Sequence, residues 1–92
     1  MKKYDALTIL PELENLKGWY INQEYIEKKY QFKDFIQALA FMVKVGLVAE
    51  KLNHHPEIFN VYNKITLRLN SHDAKCITDK DIDLAKSIDK IE

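Results

Sequence analysis

Residues that bend, break or cross-link a backbone are scarce in this chain. Of its 92 residues two are glycine, two proline and one, Cys76, is cysteine. A lone cysteine excludes an internal disulfide framework and fits a reducing compartment. With 47% hydrophobic and 30% charged residues, the composition also excludes a disordered or low-complexity chain. An excess of positive charge is missing too, because Lys plus Arg equals Asp plus Glu at 14 each. Without a basic stripe, direct binding of nucleic acid is not expected. The most apolar stretch, Phe35 to Ala49, is interrupted by Gln37 and Lys44 and falls short of the ~20 apolar residues that cross a bilayer. Met1-Lys2-Lys3-Tyr4-Asp5 carries no apolar core or small-residue cleavage site of a signal peptide. The expectation is a cytoplasmic protein with no membrane contact, forming one domain over residues 1–92. A domain this short buries a modest share of its surface and gains from pairing with its own copies.

Periodicity predicts the elements. Asp5 to Leu16 reads as a weak amphipathic helix, with Leu10, Leu13 and Leu16 on one face and Gly18 ending it. Trp19 to Ile21 and Tyr25 to Phe32 read as strands joined by Asn22-Gln23-Glu24. In the second, Ile26, Tyr30 and Phe32 share one face while Glu27, Lys29 and Gln31 point the other way. Lys33 to Leu52 is the longest predicted helix, rich in Ala, Leu, Met and Lys and free of proline. Its middle is apolar nearly all round: Phe35, Ile36, Leu39, Phe41, Met42, Val43, Val45, Leu47 and Val48. A helix apolar on every side is buried on several sides, and a chain this short cannot surround it. One side is therefore expected on a sheet and another on a second subunit, as a homodimer or homotetramer through residues 33–52.

Ile58 to Leu69 is strand-like. As one strand it would span roughly 35–40 Å at about 3.3 Å per residue; Asn63 instead favours a turn and a hairpin of Ile58–Val61 with Ile65–Asn70. The last helix starts at Thr78, where Thr78 and Asp81 are spaced as a capping box and Asp79 suits the helix dipole. The fold expected is α+β: helix-strand-strand-helix-strand-strand-helix, with helices on one face of an antiparallel sheet.

All three histidines, His54, His55 and His72, lie at the ends of predicted elements. If residues 58–70 form a hairpin, its two ends return to one sheet edge and the histidines gather; if they form one strand, the histidines meet only across subunits. Three imidazoles suit paired proton transfer, one giving and one taking. Alternatively, loop histidines simply cap helices or face water. A metal site is disfavoured, since adjacent histidines in an extended segment point apart and no CxxC or HExxH spacing occurs. Asp81 lies on the apolar face of the last helix with Leu84, Ala85 and Ile88, where a carboxylate needs a partner. It either completes the cap of Thr78 or orients a histidine. Cys76 reads as a packing or surface residue, and Lys28, Lys29, Lys64 and Arg68 as a solvated face.

The series Glu50-Lys51-Leu52-Asn53-His54-His55-Pro56-Glu57, Asn60-Val61-Tyr62-Asn63-Lys64 and Ser71-His72-Asp73, followed by Thr78, Asp81, Leu84 and Ala85, resembles the pterin-4a-carbinolamine dehydratases. The likeness begins at Gly18-Trp19 and covers about four fifths of the chain. It implies a four-stranded antiparallel sheet with three helices, assembled as dimers or as tetramers of paired dimers. It implies dehydration of 4a-hydroxytetrahydropterin to quinonoid dihydropterin, in recycling of the cofactor of aromatic amino acid hydroxylases. No metal or cofactor is implied. The family's active-site histidines fall on His54, His55 and His72 and its acidic residue on Asp81. His54 and His72 are expected to transfer protons, with His55, Pro56, Glu57, Asp73 and Asp81 shaping and binding the pterin edge. Some members also serve as dimerisation cofactors of a transcription factor, a protein-partner role that the apolar long helix would equally suit. Two departures stand out. Ile58 replaces the tryptophan often found after His-His-Pro-Glu, and Ala74-Lys75-Cys76 replaces a glycine-rich loop, which is therefore expected to follow another path.

Overall fold

The computed structural model describes residues 2–91. In chain order these form β1 (Lys3–Tyr4), α1 (Leu10–Leu13), β2 (Tyr20–Asn22), β3 (Tyr25–Gln31), α2 (Phe35–Leu52), β4 (Glu57–Val61), β5 (Lys64–Leu69), β6 (Ile77–Thr78) and α3 (Asp79–Asp89). The architecture is α+β: a four-stranded antiparallel sheet of order β2-β3-β5-β4, with β1 and β6 pairing separately. Ile26, Ile65, Leu67 and Leu69 line its inner face and join residues of the helices in one buried cluster. Alternation along β5 puts those side chains inward, while Lys64, Thr66 and Arg68 face out.

The predicted helix over residues 5–16 is shortened to a single turn. Pro11 has no N–H with which to extend the α-helical ladder, and the Asp5 carboxylate draws the N–H groups of Leu7 and Thr8 into a turn instead. Leu16 is buried and Leu13 packs against the core, as the leucine spacing indicates, but Leu10 is exposed and Ile9 takes the inward place. The first sheet strand begins at Tyr20 rather than Trp19, and the β1–β6 pair was not expected at all. Two-residue strands carry no periodic pattern to read.

α2 begins where the Asp34 side chain accepts from the Gln37 N–H at 2.8 Å. Its fully buried residues are Ala38, Val45 and Ala49, which belong to the core. Ile36, Leu39, Val43 and Leu47 remain exposed. α3 is tied to the sheet by Asp89, which accepts from Trp19 Nε1 at 2.9 Å and pairs with Lys28 at 3.2 Å. Lys28 thus belongs to an ion pair rather than to a solvated face. Arg68 likewise sits between Glu27 and Glu57, at 3.1 and 3.4 Å, with its guanidinium 3.8 Å from the Tyr25 ring centre.

Candidate active site

Three chain segments meet at one end of the sheet, and local backbone chemistry explains each. α2 stops at Asn53, which takes the left-handed conformation with φ 52° and lets its own N–H and that of His54 bond the last carbonyls. The chain thereby turns sharply, and Pro56 confines His55 to extended backbone before β4. β4 pairs antiparallel with β5, Glu57 opposite Arg68, so the start of β4 and the end of β5 lie side by side. That is the hairpin arrangement of residues 58–70. Beyond β5, Ser71 bridges to Cys76 across a tight turn that carries His72 and Asp73. The turn keeps a left-handed residue without glycine, since Lys75 adopts φ 55°.

The result is a cavity of about 340 Å³ lined by Asn53, His54, His55, Asn70, Ser71, His72, Asp73 and Lys80. All three histidines and Asp73 stand on its wall. Pro56 and Glu57 do not; the Glu57 carboxylate engages Arg68 and the Tyr25 hydroxyl, a bond that raises the Tyr25 phenol above its ordinary ionisation range. Asp81 lies behind the wall, fully buried, with Oδ1 at 2.5 Å from His54 Nε2. Its Oδ2 accepts from the Thr78 N–H and the Ser71 hydroxyl, both at 2.9 Å. Thr78 and Asp81 form the capping box as well, so the two roles open to Asp81 in the sequence coexist. His55, also on the wall, has a different partner: its Nε2 meets the exposed Glu50 carboxylate of α2. His72 is exposed.

The Thr78 N–H and the Ser71 hydroxyl both donate to Asp81 Oδ2, and His54 Nε2 stands against Oδ1. An imidazole that donates its Nε2–H to such a carboxylate keeps Nδ1 as an acceptor. The site therefore sets a carboxylate-backed imidazole beside a second, solvent-accessible imidazole. Among the described residues no group of three or more His, Cys, Asp or Glu side chains is placed to hold a metal ion. Another cleft, of about 300 Å³ between Tyr30, Phe32, Phe41 and Ile91, contains no histidine or carboxylate. Asn70 and Lys80 had not been singled out from the sequence, and Glu50, Asn53 and Ser71 entered only as members of the resembling series, with no role of their own. Asn53 alone leaves a signal there, as an asparagine closing a predicted helix.

Fold and site together define a small α+β protein with three histidines and a buried carboxylate gathered at one end of its sheet. The chain belongs to the pterin 4 alpha carbinolamine dehydratase family, whose model matches residues 2–91. A protein of Sulfurisphaera tokodaii named, provisionally, as a pterin-4-alpha-carbinolamine dehydratase is 44% identical over 99% of this chain and 98% of its own. One of Sinorhizobium medicae, named in the same way, is 44% identical over 97% of this chain and 87% of its own. Among solved structures, a transcriptional coactivator/pterin dehydratase from Brucella melitensis superposes with a TM-score of 0.89 at 36% identity, covering 96% of each chain. A pterin dehydratase-like protein described as a RuBisCO assembly factor in the alpha-carboxysome shares the fold alone, with a TM-score of 0.65 at 17% identity over 78% of this chain and 86% of its own. No helix among the described residues is long and apolar enough to cross a membrane.

Proposed function

We propose that this chain is a hydro-lyase that removes water from a 4a-hydroxytetrahydropterin, giving the quinonoid dihydropterin that a reductase can return to the tetrahydro form. The observation that carries this reading is the cavity on which His54, His55 and His72 meet, with buried Asp81 behind His54. Elimination needs one proton taken from a ring nitrogen and one given to the departing hydroxyl. His54 Nδ1 takes the ring proton, and Asp81 stabilises the imidazolium so formed. Protonated His72 gives its proton to the hydroxyl, which leaves as water. Exchange with solvent resets both imidazoles, so the cycle needs no metal or cofactor. His55, fixed by Glu50, and Asp73 contribute the polar edge against which the pterin lies. Pro56 acts indirectly, by holding the backbone of His55.

The test is the rate of 4a-hydroxytetrahydropterin dehydration, followed by stopped-flow absorbance, for wild type, His54→Ala and His72→Ala. A fast wild-type rate that falls by about 10²–10⁴-fold in each variant is expected for loss of a proton-transfer group. A folded wild-type protein no faster than buffer overturns the reading.

A second reading concerns association. Ile36, Leu39, Val43 and Leu47 recur along one side of α2 at 69%, 42%, 57% and 68% exposure. An apolar row of this kind is rare on a free surface. We assign it to a second copy of the chain, as a homodimer or homotetramer. The coactivator named alongside the dehydratase in the Brucella melitensis structure makes a heterologous protein partner on the same row the alternative.

A further inference from the structure

Behind the wall of the cavity lies a second layer of buried hydroxyls. Thr78 is 0% exposed and Ser71 5%. Their oxygens are 2.6 Å apart, and Ser71 Oγ reaches Asp81 Oδ2 at 2.9 Å. The direction of each bond follows from valence. Thr78 Oγ1 accepts from the N–H of Lys80 and, in the capping box, from that of Asp81, which fills both its lone pairs and leaves its proton for Ser71. Ser71 then turns its proton to Asp81, whose Oδ2 already accepts from the Thr78 N–H. The donors run one way: Lys80 N–H to Thr78, Thr78 to Ser71, Ser71 to Asp81. Such chains polarise and strengthen each successive bond.

We propose that Ser71 and Thr78 are positioning residues that hold His54 in the tautomer protonated on Nε2, and so keep Nδ1 available as the base. Without the Ser71 hydroxyl, Oδ2 keeps a single donor and the carboxylate is no longer fixed against His54 Nε2. His54 then exchanges its one proton through solvent between Nε2 and Nδ1, and in the Nδ1–H form the ring can no longer accept from substrate at Nδ1. The chain of hydroxyls thus selects between two arrangements of the same three side chains. The kinetic part of this inference rests on the hydro-lyase reading; the tautomer itself does not.

Both parts are testable on Ser71→Ala and Ser71→Thr beside wild type. Long-range ¹H–¹⁵N correlation of the histidine rings distinguishes the two neutral tautomers directly. Wild type is expected to show the Nε2–H form of His54, and Ser71→Ala a shift toward Nδ1–H. In stopped flow, Ser71→Ala is expected to lower kcat about tenfold with KM little changed, the scale of one hydrogen bond to a charged group. Ser71→Thr, which restores the hydroxyl, recovers both signals. Where alanine does not fold, Ser71→Cys serves, being close in shape but a weak donor. Thr78→Val against Thr78→Ser repeats the comparison one bond further back. An unchanged His54 tautomer and kcat in folded Ser71→Ala overturns the proposal. A tautomer shift in Ser71→Ala, beside a wild type that does not dehydrate pterin, supports the positioning role and removes the proposed activity.

Discussion

Asp81 Oδ1 lies 2.5 Å from His54 Nε2, although the two residues come from different segments, one at the start of α3 and the other just beyond α2. The carboxylate has no exposed surface. Replacing it with asparagine preserves shape but lets the amide satisfy either tautomer of His54. Asp81→Asn is therefore expected to lower kcat by at least about tenfold, and up to about 10⁴-fold where the wrong tautomer dominates. Steady-state kinetics on protein of unchanged circular dichroism checks it, and an unimpaired kcat refutes the dyad.

The exposed row on α2 makes a prediction about mass. Leu47→Glu introduces charge into an apolar contact, where an unpaired carboxylate is costly. Size-exclusion chromatography with light scattering should show an oligomer for wild type and a monomer for the variant. A wild-type monomer at high concentration removes the self-association reading.

Helix capping sets a stability prediction. Asp34→Ala removes the bond from the Gln37 N–H and is expected to cost about 1 kcal/mol, within roughly 0.5–2. For a domain of this size that lowers Tm by about 4–8 °C. Differential scanning calorimetry reads it, and a shift under one degree contradicts the cap's role.

At alkaline pH the outer face of the sheet should be the weak point. The bond to Glu57 raises the Tyr25 phenol, and burial followed by Glu27 raises that of Tyr20, both above an ordinary value of 10.0. A folded value above the unfolded one means that the stabilisation is complete below the unfolded value and is lost as pH rises through the folded one. Denaturant melts should show wild type losing more stability than Tyr25→Phe above about pH 10. Parallel loss in both proteins rules out that linkage.

Gly18 holds φ 86°, and a Cβ there would meet Lys28 Cε at 3.0 Å. The side chain of Lys28 can move, but the left-handed backbone cannot be exchanged so cheaply. Gly18→Ala is expected to cost about 1–2 kcal/mol, measured by urea unfolding, with activity kept. A neutral substitution would show that the turn has another conformation open to it.

Most of the sheet could be read from residue order because alternation in residues 25–32 and 65–69 is strong and Asn63 marked the hairpin turn. Asp81 was legible for a different reason: a carboxylate on an apolar helical stripe is anomalous, and the anomaly pointed to a partner. What stayed hidden lacked any local signature. Ser71, Asn70 and Lys80 are ordinary polar residues whose importance comes only from being folded beside the histidines. The surplus of apolar residues in α2 was visible, but which of them face outward is set by the side of the helix, that of Ala38, Val45 and Ala49, which packs into the core. Pro11 was the overlooked signal in α1, where leucine spacing was followed instead.

The pairing of β1 with β6 has a consequence in time. Lys2 donates to Asp79 across 77 positions of chain, and Tyr4 pairs with Ile77 immediately before the cap of α3. On a ribosome the first of these strands waits, unpaired, while the sheet and α2 emerge. Its partner arrives together with Thr78 and Asp81, among the last described segments to be made. A nascent chain can thus own all three histidines and still lack the carboxylate that backs His54, which is translated after them. The buried layer behind the cavity is complete only once α3 has joined the sheet.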